Sequence, residues 1–344
     1  MSALVLLPAA GLLVAWLGII DIRASTGHWR MTDWFLHWVM RSSVRTAALN
    51  VEVPNLDDPA MLPGAAGHFE TACAICHGSP AQQRSPAMLT MLPPPPDLDG
   101  VIGAWTDAQL FEIVKHGVRY TGMPAWPAMS RDDEVWQMVA FLRKLPSLSA
   151  EGYKVLSGGA RRGDGKDLAG TIAYCNSCHG ADRLTPETLM PSLSGQNHDY
   201  LLTALQSYRS GKRPSGIMQT AVAEIDAEVF DDLAAYYAAH SPAQGKGGGD
   251  DSGAVPTELT ALVERGNSVR KIPACLGCHD GAANPAYPVL WNQSQAYLEA
   301  QLRLFAEGSR GGADQHHLMI EAARNLEQQD IKALSRYFAS GRPK

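Results

Sequence analysis

No cysteine in this 344-residue chain is spare, because all six fall within three copies of one five-residue motif. That leaves none for a structural disulfide or a reactive free thiol. The sequence also lacks a long run of one charge sign and any basic stripe, so it offers no nucleic-acid-binding surface. Strand signals are almost absent, and the chain is read as all-α. Only one long uncharged apolar run occurs, at the N-terminus.

What is present is Cys-x-x-Cys-His, three times: Cys73, Cys76 and His77; Cys175, Cys178 and His179; Cys275, Cys278 and His279. Two thiols one helical turn apart can add across the two vinyl groups of a haem, while the adjacent imidazole meets the iron. Paired thiols at this spacing also suit tetrahedral zinc. Zinc would need two pairs brought together, and these lie about a hundred residues apart, each with its own histidine. The expectation is therefore three covalently attached haem c groups.

Three motifs at near-equal spacing divide the chain into an N-terminal anchor and juxtamembrane segment (1–64) and three haem domains (65–148, 149–243 and 254–344), with a glycine-rich linker at 244–253. Each domain has about 90 residues around its haem, so the cofactor must supply much of the apolar core. Net charge is −6 in total, with −2 over 65–148, −3 over 151–245 and +1 over 256–344, an asymmetry able to orient redox partners.

Ala3 to Ile20 is uncharged and 18 residues long, enough to cross most of a bilayer. A cleaved secretory signal competes with this reading, but no Lys or Arg precedes the run. The expectation is a retained transmembrane helix that tethers the protein to the bacterial inner membrane, with the haem domains in the periplasm. Arg23, Arg30, Arg41 and Arg45 follow the run, against the positive-inside rule. Beyond it, Met31, Trp34, Phe35, Trp38 and Val39 fit one helical face, either as an interfacial or docking helix or packed on the first haem domain.

The second and third domains are copies of one unit. Pro191 to Leu201 matches Pro288 to Leu298 without a gap, and Met218 and Met319 each stand 18 residues before a tyrosine, Tyr236 and Tyr337. A repeated unit implies a repeated fold. The first domain follows the same plan, with Gly122-Met123-Pro124-Ala125-Trp126 in the corresponding loop. Met123, Met218 and Met319 are the expected second axial ligands, since thioether sulfur opposite histidine raises the reduction potential. Met129, Met138, His116, His198, His316 and His317 are the competitors. Pro96, Pro191 and Pro288 are placed to offer carbonyls that orient the three histidines.

On these residues, 150–340 resemble the dihaem cytochrome c4 type: Cys175-x-x-Cys178-His179, Pro191-x-Leu193-x-Gly195-Gln196, Tyr200-Leu201, Met218, Tyr236-Tyr237, and then the series again. Residues 66–145 resemble a single-haem class I cytochrome c domain of the kind found alone or in oxidase and dehydrogenase subunits. The resemblance implies three tandem class I domains after the anchor. It implies an electron carrier rather than an enzyme, working in a respiratory chain between a quinol-oxidising or dehydrogenase complex and a terminal oxidase or other acceptor. A cytochrome subunit of a periplasmic alcohol or aldehyde dehydrogenase is the alternative, and a haem peroxidase or gas sensor stands behind both.

Overall fold

The computed structural model describes residues 2–159, 167–241, 256–280, 284–291, 293–312 and 315–341. The linker expected at 244–253 lies outside them, as does Asn292. Among the described residues the chain is helical, with two isolated bridges and no strand. An N-terminal arm forms α1 (Ser2–Trp16) and α2 (Arg30–Ala47). Around the first motif lie α3 (Leu62–His68), a π-turn (Phe69–Cys73), α4 (Ala74–His77), α5 (Leu98–Val101), α6 (Asp107–His116) and α7 (Asp132–Lys144). The second is surrounded by α8 (Ala150–Ser157), α9 (Leu168–His179), α10 (His198–Arg209), α11 (Gly216–Ala223) and α12 (Val229–Ala239). The third has α13 (Thr257–Arg265), α14 (Leu276–His279), α15 (Gln295–Ala306), α16 (His316–Arg324) and α17 (Gln328–Ala339).

The expected transmembrane helix is not formed. Among the described residues no helix is long and apolar enough to cross a membrane. Helix α1 has 15 residues, about 22 Å at 1.5 Å per residue against an apolar layer of about 30 Å. It ends at a turn in which Gly18 takes φ +67, a left-handed conformation that stops the helix. The inner-membrane location and the membrane contact rested on that anchor, and both are withdrawn with it.

Helix α2 does form, and it packs against α6, with the Arg41 guanidinium 4.9 Å from the centre of the Trp105 ring. Its aromatic face stays exposed: Trp34 and Trp38 stack on each other at 6.3 Å rather than on the haem domain.

Helix α6 opens on a capping box between Thr106 and Gln109 and closes at Gly117, φ +63. Helix α7 starts with Asp132, Asp133 and Glu134 and ends with Arg143 and Lys144, the charge order its dipole favours. Between α7 and α8 runs α3, burying Phe69, Val139, Phe141 and Tyr153 in the largest core. Tyr153 donates a 2.5 Å hydrogen bond to Glu70, and burial together with that carboxylate pushes its hydroxyl well up, so it remains a donor. Tyr153→Phe should cost about 1.5–3 kcal/mol in a thermal melt, the range for a hydrogen bond to a charged group. An unchanged melting temperature would remove this bond from the account.

The second and third units have smaller cores, around Leu201, Leu233 and Tyr237 in one and Val263, Trp291 and Phe338 in the other. In both, the middle helix packs on the terminal one, α10 on α12 and α15 on α17. The apolar faces left over line a cavity, the arrangement expected where a large flat cofactor completes the core.

Candidate haem-binding sites

Each motif lies on a short helix that the chain then leaves abruptly. Helix α9 carries Cys175, Cys178 and His179 in its last turn, while Cys73 and Cys275 stand at the N-caps of α4 and α14. Each histidine meets a proline carbonyl through Nδ1: His77 to Pro96 at 3.1 Å, His179 to Pro191 at 2.9 Å and His279 to Pro288 at 2.9 Å. A carbonyl can only accept, so Nδ1 carries the proton and Nε2 keeps its lone pair for a metal. Burial holds all three imidazoles below their ordinary value, and therefore neutral. The three prolines expected from sequence do this, and Arg84 braces the first of them by donating to the Pro95 carbonyl at 3.1 Å.

Only the first of the expected methionine loops is a loop; Met218 lies on α11 and Met319 on α16. In the first, Gly117 takes φ +63, and an added Cβ there would lie 2.5 Å from the Pro124 carbonyl carbon. Val118 N–H donates to the Met123 carbonyl at 3.2 Å, and Met123 N–H donates to Thr121 Oγ1 at 3.1 Å. A second thioether stands here that sequence reasoning missed. Met91 touches Gly122, with its Cε 2.0 Å from where a Cβ would be. Met218 and Met319 line one cavity with His179, His279 and the four cysteines of their motifs. Of the competitors, Met138 is a core residue of α7, Met129 is exposed, His116 faces Glu112, and His198 faces Asp199 and Asp231, while His316 lines the same cavity as Met319.

That cavity, of about 430 Å³, runs continuously between the second and third units. Across it the two copies clasp each other reciprocally. Gln196 accepts from Val289 N–H at 2.9 Å and donates to its carbonyl at 2.5 Å. Its counterpart Gln293 accepts from Ser192 N–H at 2.9 Å and donates to the Ser192 carbonyl at 2.9 Å. Asn197 adds a 2.8 Å bond to the Tyr287 carbonyl, and Ser294 donates to that of Thr188. Ser192 and Val289 directly follow the prolines that hold the histidines. Whatever the glycine-rich segment between them allows, these side-chain hydrogen bonds hold the two units together.

Arg213 and Arg310, equivalent in the repeat, line the same cavity and are buried. Arg213 lies 4.5 Å from the Tyr208 ring centre and Arg310 lies 4.8 Å from that of Phe305. Among the described residues neither forms an ion pair with a carboxylate. Arg213 donates to Tyr200 Oη at 3.3 Å, and Arg310 donates to Gln301 Oε1 at 2.5 Å and the Gly311 carbonyl at 2.6 Å, but neutral acceptors leave the buried charge uncompensated, and an anion in the cavity would balance it. The two carboxylates that every haem carries are such anions, so the donor set fits the group: thiols to attach it, imidazole and thioether for its metal, guanidiniums for its acids. A metal bound by protein alone finds no site, since no group of three His, Cys, Asp or Glu side chains converges among the described residues. Sequence inspection had the signal for the glutamines and arginines, because each recurs in both copies, but not for what they touch.

Paired thiols beside a tautomer-locked imidazole, on helical units whose apolar cavity is lined by thioether, define a c-type cytochrome with covalently bound haem c. The family described as cytochrome c oxidase, cbb3-type, subunit III matches residues 60–142. Cytochrome c4 of Pseudomonas aeruginosa is 32% identical over 197 residues, covering 56% of this chain and 94% of that protein. A thiosulfate dehydrogenase electron acceptor of Thiomonas intermedia is 33% identical, covering 49% of this chain and 78% of its own. A solved structure of reduced cytochrome c4 from Pseudomonas stutzeri is 30% identical, covers 51% of this chain and 97% of that one, and superposes with a TM-score of 0.43. The chain belongs to the cytochrome c4 family, whose members are electron carriers.

Proposed function

We propose that this chain is a three-haem electron relay, built from units at 65–148, 149–243 and 254–344. His77 with Met123, His179 with Met218, and His279 with Met319 are the axial pairs. The observation that carries the reading is the threefold pairing of a neutral imidazole, tied through Nδ1 to a proline carbonyl, with a methionine later in the same unit, in a loop in the first and on α11 and α16 in the others. Bound haem supplies a one-electron couple, and thioether opposite imidazole raises its potential. The polypeptide's part is to hold the donors, exclude water and neutralise buried acids. Were imidazole and thioether both to hold the iron of each bound haem, no open position would be left for substrate, which favours carriage over catalysis.

The setting is transfer from a quinol-oxidising or dehydrogenase complex to a terminal oxidase or other acceptor. The likeness of residues 60–142 to an oxidase subunit supports an oxidase at one end. A second reading, in which the chain is the cytochrome subunit of a dehydrogenase complex whose catalytic subunit is a separate chain, is favoured by two relatives named as thiosulfate dehydrogenase electron acceptors. The mass of the purified chain should exceed its polypeptide mass by three haems, and the reduced protein should not bind carbon monoxide. Two haems, or ready carbon monoxide binding, would defeat the proposal. Co-purification with a dehydrogenase catalytic subunit supports the second setting, and rapid oxidation of the reduced, free protein by a terminal oxidase preparation supports the first.

A further inference from the structure

The first unit reaches into the wall of the second. Helix α3 touches α9 and α11, and at Gly67 the approach is so close that an added Cβ would lie 2.8 Å from Cys178 Sγ. Trp126, three residues beyond Met123, covers Gly216, where a Cβ would lie 2.1 Å from Trp126 Nε1. Glu134 sits between them, fully buried at the start of α7.

Five donors converge on that carboxylate. Ser215 Oγ donates at 2.5 Å, Gly216 N–H at 2.6 Å, Ile217 N–H at 3.4 Å and Trp126 Nε1 at 3.3 Å, and Arg131 Nη1 stands 3.0 Å away. Arg131 also donates to the Pro214 carbonyl at 2.8 Å. Burial pushes Glu134 up from the ordinary carboxylate range, opposed by Arg131, Ser215 and Gly216. Ser215 in turn accepts the Met218 N–H at 3.1 Å. The N-terminal turn of α11, which carries Met218, is thus capped by a carboxylate from another domain. Helix α16, which carries Met319 in the sister copy, has no side-chain cap among the described residues.

We propose that Glu134 is a positioning residue for Met218, so that the thioether facing the second haem is set by the first domain, while Met319 depends on its own. The inference rests on Met218 being the axial ligand. It makes the first unit more than a tethered neighbour: its docking completes the second site.

The test uses the full-length, haem-loaded protein and follows the far-red sulfur-to-iron band during a redox titration. Glu134→Ala should remove about one third of the band and lower one potential, as loss of thioether does. Deleting a nearby anion without moving Met218 would do the reverse, leaving the band whole and raising the potential, and that result overturns the proposal. Glu134→Gln keeps the volume but turns an amide N–H toward the donors. It should show the same losses in smaller degree, and serves if the alanine variant does not fold. Combining Glu134→Ala with Met218→His should remove no more of the band than Met218→His alone. A further third lost in the double variant would make Glu134 a general folding residue and sink the assignment. An unchanged band in Met218→His alone would instead mean that the ligand was misassigned.

Discussion

Replacing Met123, Met218 and Met319 one at a time by histidine should remove about one third of the sulfur-to-iron absorption in each case and lower one of three reduction potentials. The expected drop is on the order of a tenth to several tenths of a volt, inside the ~0.8 V that axial ligands span. Imidazole stabilises ferric iron more than thioether does, and no other change is asked of the cavity. The first site is the most exacting. Met91 touches the loop beside Met123, so the experiment needs Met91→Leu as its partner. The backbone bonds of Met123 to Val118 and Thr121 fix its place, and Met91→Leu should leave the band intact. A band lost in Met91→Leu but kept in Met123→His would reverse the assignment there.

The second large effect concerns the clasp between the sister units. Gln196→Leu strips partners from the half-buried N–H and carbonyl of Val289, and Gln293→Leu strips them from the buried ones of Ser192. At about 1–3 kcal/mol for each unsatisfied buried group, Gln293→Leu should cost roughly 2–6 kcal/mol and Gln196→Leu less. The double variant should cost less than the sum, since both residues close one interface. Its thermal unfolding should split into separate transitions for the second and third units, where the parent melts them together. Because Ser192 and Val289 follow the histidine-holding prolines, the potentials of those two haems should also shift. One cooperative melt at the parental temperature would show that the glutamines do not hold the domains together.

Sequence and structure meet most closely where interactions are local. The prolines sit 19, 12 and 9 residues from their histidines, and the loops between admit few arrangements. The matched methionines are visible because two copies repeat them and the first follows the same plan, but the helices α11 and α16 that carry Met218 and Met319 are not, since short segments after a loop carry little periodicity. The N-terminal run was misread for a related reason. Hydropathy counts apolar residues without registering where the backbone leaves the helix, and here it leaves at Gly18, before a bilayer's thickness is reached. Glu134 was invisible, since an acidic residue in the first turn of a helix ordinarily serves that helix's dipole. Only the docking of another unit turned it inward.

From its sequence alone the chain was determined to be all-helical, built around three thiol pairs with adjacent histidines, two of its units being copies with matched methionines and prolines. Those features depend on spacings of a few residues to a few turns, which covalent geometry restricts. Tertiary structure decided which unit faces which, that reciprocal glutamines close the sister pair, that two buried arginines share its cavity, and that a carboxylate of the first domain caps the methionine helix of the second. Such contacts join residues some 80 to 100 positions apart. They arise from the burial and shape of folded surfaces, which no local pattern encodes.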